Sequence, residues 1–139
     1  MRLKLEQAVI ELACEDFQES YLFDLESNIN QQQFCVLKNN YTAAFNLDNS
    51  FHELIFKGCK KERIFNAIHF MNGDFDRIRA LNLISSMNMD LVVAQHKGII
   101  DAIKAKDSEL GIKIVGEHLS KVNDDKMILL REYPEYFKE

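Results

Sequence analysis

The spacing of apolar residues limits the folds open to this chain more than any other feature. Apolar residues recur three or four positions apart along almost all of its 139 residues, which is the period of a helix with one buried face. The chain has one proline and five glycines, too few for the many turns of a β fold. The sequence therefore predicts an all-α protein.

Breaks in this pattern divide the chain into six predicted helices, over residues 2–16, 17–37, 40–58, 61–85, 89–105 and 108–131. Asp107 is expected to cap the N-terminus of the sixth helix. Short connections between long helices make neighbouring helices antiparallel. We therefore expect an antiparallel bundle of about six helices, forming a single domain over residues 1–139.

Composition and charge argue against several functions. The formal net charge is −5 and no stretch concentrates Lys and Arg, so direct binding of nucleic acid by this chain is not expected. No apolar run approaches the roughly 18 residues of a membrane-spanning helix, and the N-terminus lacks the features of a signal peptide. Three cysteines without close pairing fit reduced thiols in a cytoplasmic protein.

Four ionisable residues lie on helix faces that the pattern predicts to be buried. On a helical wheel with about 100° per residue, Asp48 and His52 fall inside the apolar stripe of the third helix, about 40° apart. His96 lies on the apolar stripe of the fifth helix, and His118 lies on that of the sixth. Three helices thus direct ionisable side chains toward the core.

Burial of such groups without partners costs several kcal/mol each, so they should meet one another or a cation. Three imidazoles and one carboxylate suit a divalent transition metal. We expect one such metal, with zinc as the leading expectation and nickel, manganese or iron as alternatives. Its predicted ligands are Asp48, His52, His96 and His118.

Simpler interpretations exist for each residue taken alone. A single histidine on an apolar stripe is commonly a hydrogen-bonded core residue, and an Asp–His pair four residues apart is often a local hydrogen bond. The same anomaly on three helices favours a shared metal or small-ligand site. The fourth histidine, His69, lies off the apolar stripe of its helix and is expected at the surface.

Arg79 falls at the edge of the apolar stripe of the predicted fourth helix, whereas Arg77 points to the opposite side. A guanidinium in this position could hold the carboxylate of a small organic acid with two hydrogen bonds. Alternatively, its charged head reaches water while its stem covers the core.

Several motifs resemble a known family. They are Asp-x-x-x-His in "DNSFH" (48–52), His96 within "AQHKGIIDAIKAKD", His118 within "GEHL", and the opening "RLKLE" (2–6). Together they are similar to the ligand-binding domain, called the FCD domain, of FadR-type regulators in the GntR family of transcriptional regulators. The resemblance extends over essentially the whole chain.

The resemblance implies an all-α bundle that holds a divalent metal on the four residues named above and a small carboxylate effector beside Arg79. It also implies a homodimer, with DNA bound only through a winged helix-turn-helix domain that this chain does not contain. Two departures are Lys60–Lys61, in place of a common Gly-Asn, and Gln95, in place of a common Glu.

The expected function is therefore metal-dependent sensing of a small organic acid by the effector-binding and dimerisation domain of a transcriptional regulator, and not catalysis. One rival is a metal-dependent hydrolase or oxygenase in a helical bundle, for which Asp125, on the stripe of His118, is the one candidate base. The other rival is a purely structural bundle whose polar residues satisfy one another.

Overall fold

The computed structural model describes residues 2–71 and 89–119 of the chain. Its helices are α1 (Arg2–Glu15), α2 (Glu19–Leu37), α3 (Tyr41–Gly58), α4 (Glu62–Met71) and α5 (Met89–Ala105). A further helix, α6, begins at residue 108 and continues to residue 119, where the description ends. No strand occurs in these two ranges, so the all-α prediction is confirmed.

The predicted helix boundaries agree with the structure to within two residues wherever the structure describes them. The later parts of the predicted fourth and sixth helices lie outside the described residues. Arg77, Arg79 and Asp125 lie there as well, and so does the side chain of His69.

The described helices pack as a bundle around a main hydrophobic core, and a second, small cluster surrounds Cys35 and Ala44. α2 lies along α3 and also contacts α5, while α1 packs on α3 and α5 and α4 packs on α3. The largest buried apolar side chains come from α1, α2, α3 and α5, and they are Ile10, Leu25, Phe51, Phe56 and Ile99. None of the described helices combines the length and the apolar character needed to cross a lipid bilayer.

A glycine allows α6 to approach the bundle closely. A Cβ atom added at Gly111 would lie 2.5 Å from Ile10 Cγ2 on α1 and 3.5 Å from Ala102 Cβ on α5. Any other residue at Gly111 would require either the Ile10 side chain or α6 itself to shift. Because His118 lies two turns further along α6, this close contact also sets how far its ring reaches into the core.

The cysteines are free thiols, as expected. The thiol of Cys59 donates a 3.6 Å hydrogen bond to the carbonyl of Val9, and that of Cys14 donates one of 3.6 Å to the carbonyl of Ala102. Burial raises the pKa of Cys59 to about 11, with smaller contributions from the nearby Cys14 and Asp16. This thiol is therefore protonated and weakly nucleophilic at neutral pH.

The ends of the helices are closed by local hydrogen bonds. The side chain of Asp107 accepts one from the backbone N–H of Leu110 at 3.1 Å, which confirms the predicted N-cap of α6. Three residues that follow helix C-termini adopt left-handed backbone conformations, Asn39, Lys60 and Lys106, with φ of 55°, 60° and 56°.

At Lys60 this conformation belongs to a Schellman motif. The N–H of Lys60 donates to the carbonyl of Lys57 at 3.0 Å, and that of Lys61 donates to the carbonyl of Phe56 at 2.8 Å. The Gly-Asn of the resembling family falls at this turn, and glycine adopts a left-handed φ more readily than lysine does.

Replacement of Lys60 by glycine should therefore stabilise the protein. A non-glycine residue in the left-handed region costs about 1–2 kcal/mol, part of which glycine gives back through its greater freedom in the unfolded chain. We expect Lys60→Gly to raise the free energy of unfolding by about 1 kcal/mol in urea denaturation. Lys60→Ala, which removes the side chain but keeps the backbone strain, is the control and should change little. Equal stabilisation by both substitutions would contradict this explanation.

Candidate metal centre

Four side chains from three helices meet in the middle of the bundle. Asp48 and His52 come from α3, His96 from α5 and His118 from α6, and one potential ligand atom from each lies within 4.8 Å of all the others. The four residues are 0–4% exposed. The structure therefore brings together all four residues that the apolar stripes of the sequence selected.

The carboxylate of Asp48 lies between two of the imidazole rings. Its Oδ1 is 3.1 Å from His96 Nε2 and 3.4 Å from His52 Nε2. The centroid of the His118 ring is 5.4 Å from that of His52 and 5.1 Å from that of His96. Phe51 stacks on the His96 ring at a centroid distance of 4.2 Å, which restricts the orientation of that ring.

Each of the three rings bonds to a side-chain oxygen through its Nδ1 atom. Glu6 Oε1 on α1 lies 2.6 Å from Nδ1 of His52. Gln32 Oε1 on α2 lies 2.9 Å from Nδ1 of His96. Gln95 Oε1 on α5 lies 2.8 Å from Nδ1 of His118.

These oxygens determine where the ring protons are. A carboxylate or amide oxygen can only accept, so each Nδ1 carries the hydrogen and donates it outward. In a neutral imidazole the Nε2 lone pair is then left for the interior of the site. His52 Nε2, for example, is buried and forms no hydrogen bond with the described residues. Metal-binding histidines show this arrangement, with the outer nitrogen held by a carboxylate, carbonyl or water.

The charges of the site also suit a divalent cation. Asp48 and Glu6 are both buried, at 3% and 4% exposure. With three neutral imidazoles, these five side chains carry a total charge of −2. Buried charges of one sign are costly unless a charge of the other sign accompanies them, and a divalent metal would supply it. The residues present therefore fit such an ion.

The outer partners are the part of the site that the sequence analysis missed. Glu6 was noted only as the end of the "RLKLE" motif, although it shares a helical face with Val9, Ile10 and Ala13, which are buried. Gln32 belongs to a run of three glutamines that gives no sign of burial, yet it is fully buried. Gln95 was noted only as a departure from the family, whereas its amide oxygen accepts from His118 in the manner open to a glutamate.

A helical bundle with a buried polar site at its centre is the architecture expected of a ligand-binding domain of the kind that the motifs resemble. A family model, the FCD domain, matches residues 1–121. The chain belongs to this family.

Its relatives among known proteins are regulators. It is 23% identical over 139 residues to the HTH-type transcriptional repressor RspR of Escherichia coli (strain K12), covering all of this chain and 61% of RspR. It is 30% identical over 93 residues to an HTH-type transcriptional regulator from an unstable DNA locus of Streptomyces ambofaciens, covering 67% of this chain and 39% of that protein.

The regulator YdhC of Bacillus subtilis (strain 168) is 23% identical over 121 residues, covering 86% of this chain and 54% of YdhC. The chain thus spans about three fifths of the length of RspR and less of the other two. The family and the names of these relatives indicate a regulatory domain and not an enzyme.

If the four residues hold a metal, removing one ligand should abolish both binding and the stability that comes with it. We expect elemental analysis to find about one divalent metal per chain, and zinc at 1,000 times its Kd to stabilise the folded protein by about 4 kcal/mol in thermal unfolding. His96→Ala should lose this stabilisation. His69→Ala, at the histidine that the helical pattern predicts to lie off the apolar stripe of its helix, is the control and should keep it. A protein without stoichiometric metal, together with unchanged stability in His96→Ala, would exclude a metal site.

Proposed function

We propose that this chain is the effector-sensing domain of a GntR-type transcriptional regulator and that it binds a divalent metal on Asp48, His52, His96 and His118. The observation that carries the proposal is the convergence of these four buried donors, with an oxygen acceptor on the outer nitrogen of each ring. Membership of the FCD family supports it independently.

Zinc is the leading candidate for the metal, and nickel, manganese or iron are the alternatives. Imidazole nitrogen and carboxylate oxygen are ligands that these borderline metals accept. Bound in the site, the metal would supply a Lewis acid for an oxygen atom of the effector. The surrounding protein would exclude water and orient the four donors.

The proposed effector is a small organic acid. A metal and an arginine together can hold a carboxylate in a fixed orientation, because the guanidinium offers two parallel N–H donors. We assign the role of this arginine to Arg79, because the sequence places it at the edge of the apolar stripe of the predicted fourth helix.

DNA binding is assigned to a winged helix-turn-helix domain outside this sequence, in a cytoplasmic homodimer. The names of the relatives refer to an HTH, and this chain spans only part of their length. The net charge of −5 agrees with a domain that does not itself contact DNA. Effector binding would change DNA affinity only through contacts that differ between two arrangements of the dimer.

A thermal-shift screen of small carboxylates on the metal-loaded protein tests the sensing role. A true effector should raise the melting temperature with the concentration dependence of RT ln(1 + [L]/Kd). Arg79→Ala should abolish the shift, because the bidentate partner is gone. Arg77→Ala, which removes the same charge from what the sequence predicts to be the opposite face of that helix, should keep the shift.

Two results would argue against this function. One is the absence of a shift with any carboxylate on protein shown to hold its metal. The other is consumption of a stabilising compound at a rate that depends on the metal, which would indicate an enzyme instead of a sensor.

A further inference from the structure

A chain of two buried side-chain amides connects the backbone of α3 to the ring of His96. Asn28 Nδ2 donates to the carbonyl of Leu47 at 3.0 Å. Gln32 Nε2 donates to Asn28 Oδ1 at 2.5 Å. Gln32 Oε1 in turn accepts from Nδ1 of His96 at 2.9 Å. Asn28 and Gln32 are 5% and 0% exposed.

The orientation of both amide groups follows from the bond to the Leu47 carbonyl. A backbone carbonyl can only accept, so Asn28 must turn its NH₂ group toward Leu47 and its oxygen toward Gln32. Gln32 must then turn its NH₂ group toward Asn28 and its oxygen toward the ring. The hydrogen of His96 is thereby placed on Nδ1, and its Nε2 lone pair points at Asp48, 3.1 Å away.

We propose that Asn28 and Gln32 are positioning residues for the metal centre, which keep His96 in the form that can bind a metal through Nε2. This inference rests on the metal binding proposed above and assigns a role to two residues outside the ligand set. The amides hold the tautomer and the rotation of the ring, while Phe51 stacks on its face. No rearrangement of His96 would then be needed when the metal binds.

Besides the bond to His96, the contact with Leu47 connects the two amides to the site in a second way. Leu47 immediately precedes Asp48 on α3, so the same amides that orient His96 also hold the backbone beside another proposed ligand. Among the described residues, Glu6 bonds to Nδ1 of His52 and Gln95 bonds to Nδ1 of His118. Two bonded residues in series make a distinctive prediction, since the outer one, Asn28, reaches the His96 ring only through the inner one, Gln32.

A double-mutant cycle on zinc affinity tests this dependence. Gln32→Met removes the acceptor with little change in shape and should weaken zinc binding 10- to 100-fold, the usual effect of losing an outer partner of a metal ligand. Asn28→Leu should weaken binding less, about threefold to tenfold. In the Gln32→Met background Asn28→Leu should have a clearly smaller effect than in the original protein, because its connection to the His96 ring is already broken.

Zinc affinity would be measured by competition with a chromogenic chelator, and folding of each metal-free variant by circular dichroism. Gln31→Met, on the exposed face of the same helix, is the matched control and should bind zinc like the original protein. Two results would overturn the inference: independent, multiplicative effects of the two substitutions, or zinc affinity in Gln32→Met equal to that of the control.

Two further readouts separate positioning from general support of the fold. Gln32→Glu keeps an acceptor for Nδ1, so it should bind zinc clearly more tightly than Gln32→Met; equal weakening in both would contradict the inference. In the zinc-loaded protein with ¹⁵N-labelled histidine, the Nδ1–H signal of His96 should shift in Asn28→Leu while that of His118 stays in place. An unshifted His96 signal would also contradict it.

If the unaltered protein binds no zinc, the proposed function fails and this inference fails with it. If that protein binds zinc and the variants at positions 28 and 32 bind it equally well, the inference alone fails. The two failures are therefore distinguishable in a single set of titrations.

Discussion

The structure depends on how the cost of burying one carboxylate and three imidazoles in the core of a small bundle is compensated. Burial of the carboxylates of Asp48 and Glu6 without compensation would cost a large part of the stability of such a bundle, because folded domains are stable by only about 5–15 kcal/mol. The Nδ1 hydrogens of the three imidazoles point away from Asp48, toward oxygen acceptors on Glu6, Gln32 and Gln95. The Nε2 atoms of His96 and His52 then face Asp48 Oδ1 across 3.1 and 3.4 Å, an arrangement that a cation between them would stabilise.

Helix positions and the four inner residues could be predicted from sequence because both depend on the 3.6-residue period. The period gives the boundaries, and it identifies Asp48, His52, His96 and His118 as polar residues on apolar faces. The outer partners could not be found in this way. Which residue of α2 meets the His96 ring depends on the register between two helices, and the spacing within one helix contains no information on register. Gln32 therefore looked like its exposed neighbour Gln31.

Local backbone features show a similar division. The Asp107 cap was predictable, since Asp at the start of an apolar-periodic segment satisfies free N–H groups. The left-handed φ of Lys60 was not, because lysine gives no sign of that conformation; only the glycine usual in the family pointed to it. The role of Gly111 was not predictable either, because the close approach to Ile10 that requires a glycine depends on how α6 packs on α1.

The positions of the four donors along the chain have a mechanical consequence. Asp48 and His52 are neighbours on one helix, whereas His96 and His118 belong to two later helices, so an ion held by all four would act as a cross-link that closes two loops of the chain. Loop closure lowers the entropy of partly opened states. α3 contributes two donors to such a cross-link, whereas α5 and α6 contribute one each, His96 and His118, so loss of the ion would remove the single tether of each of the two later helices.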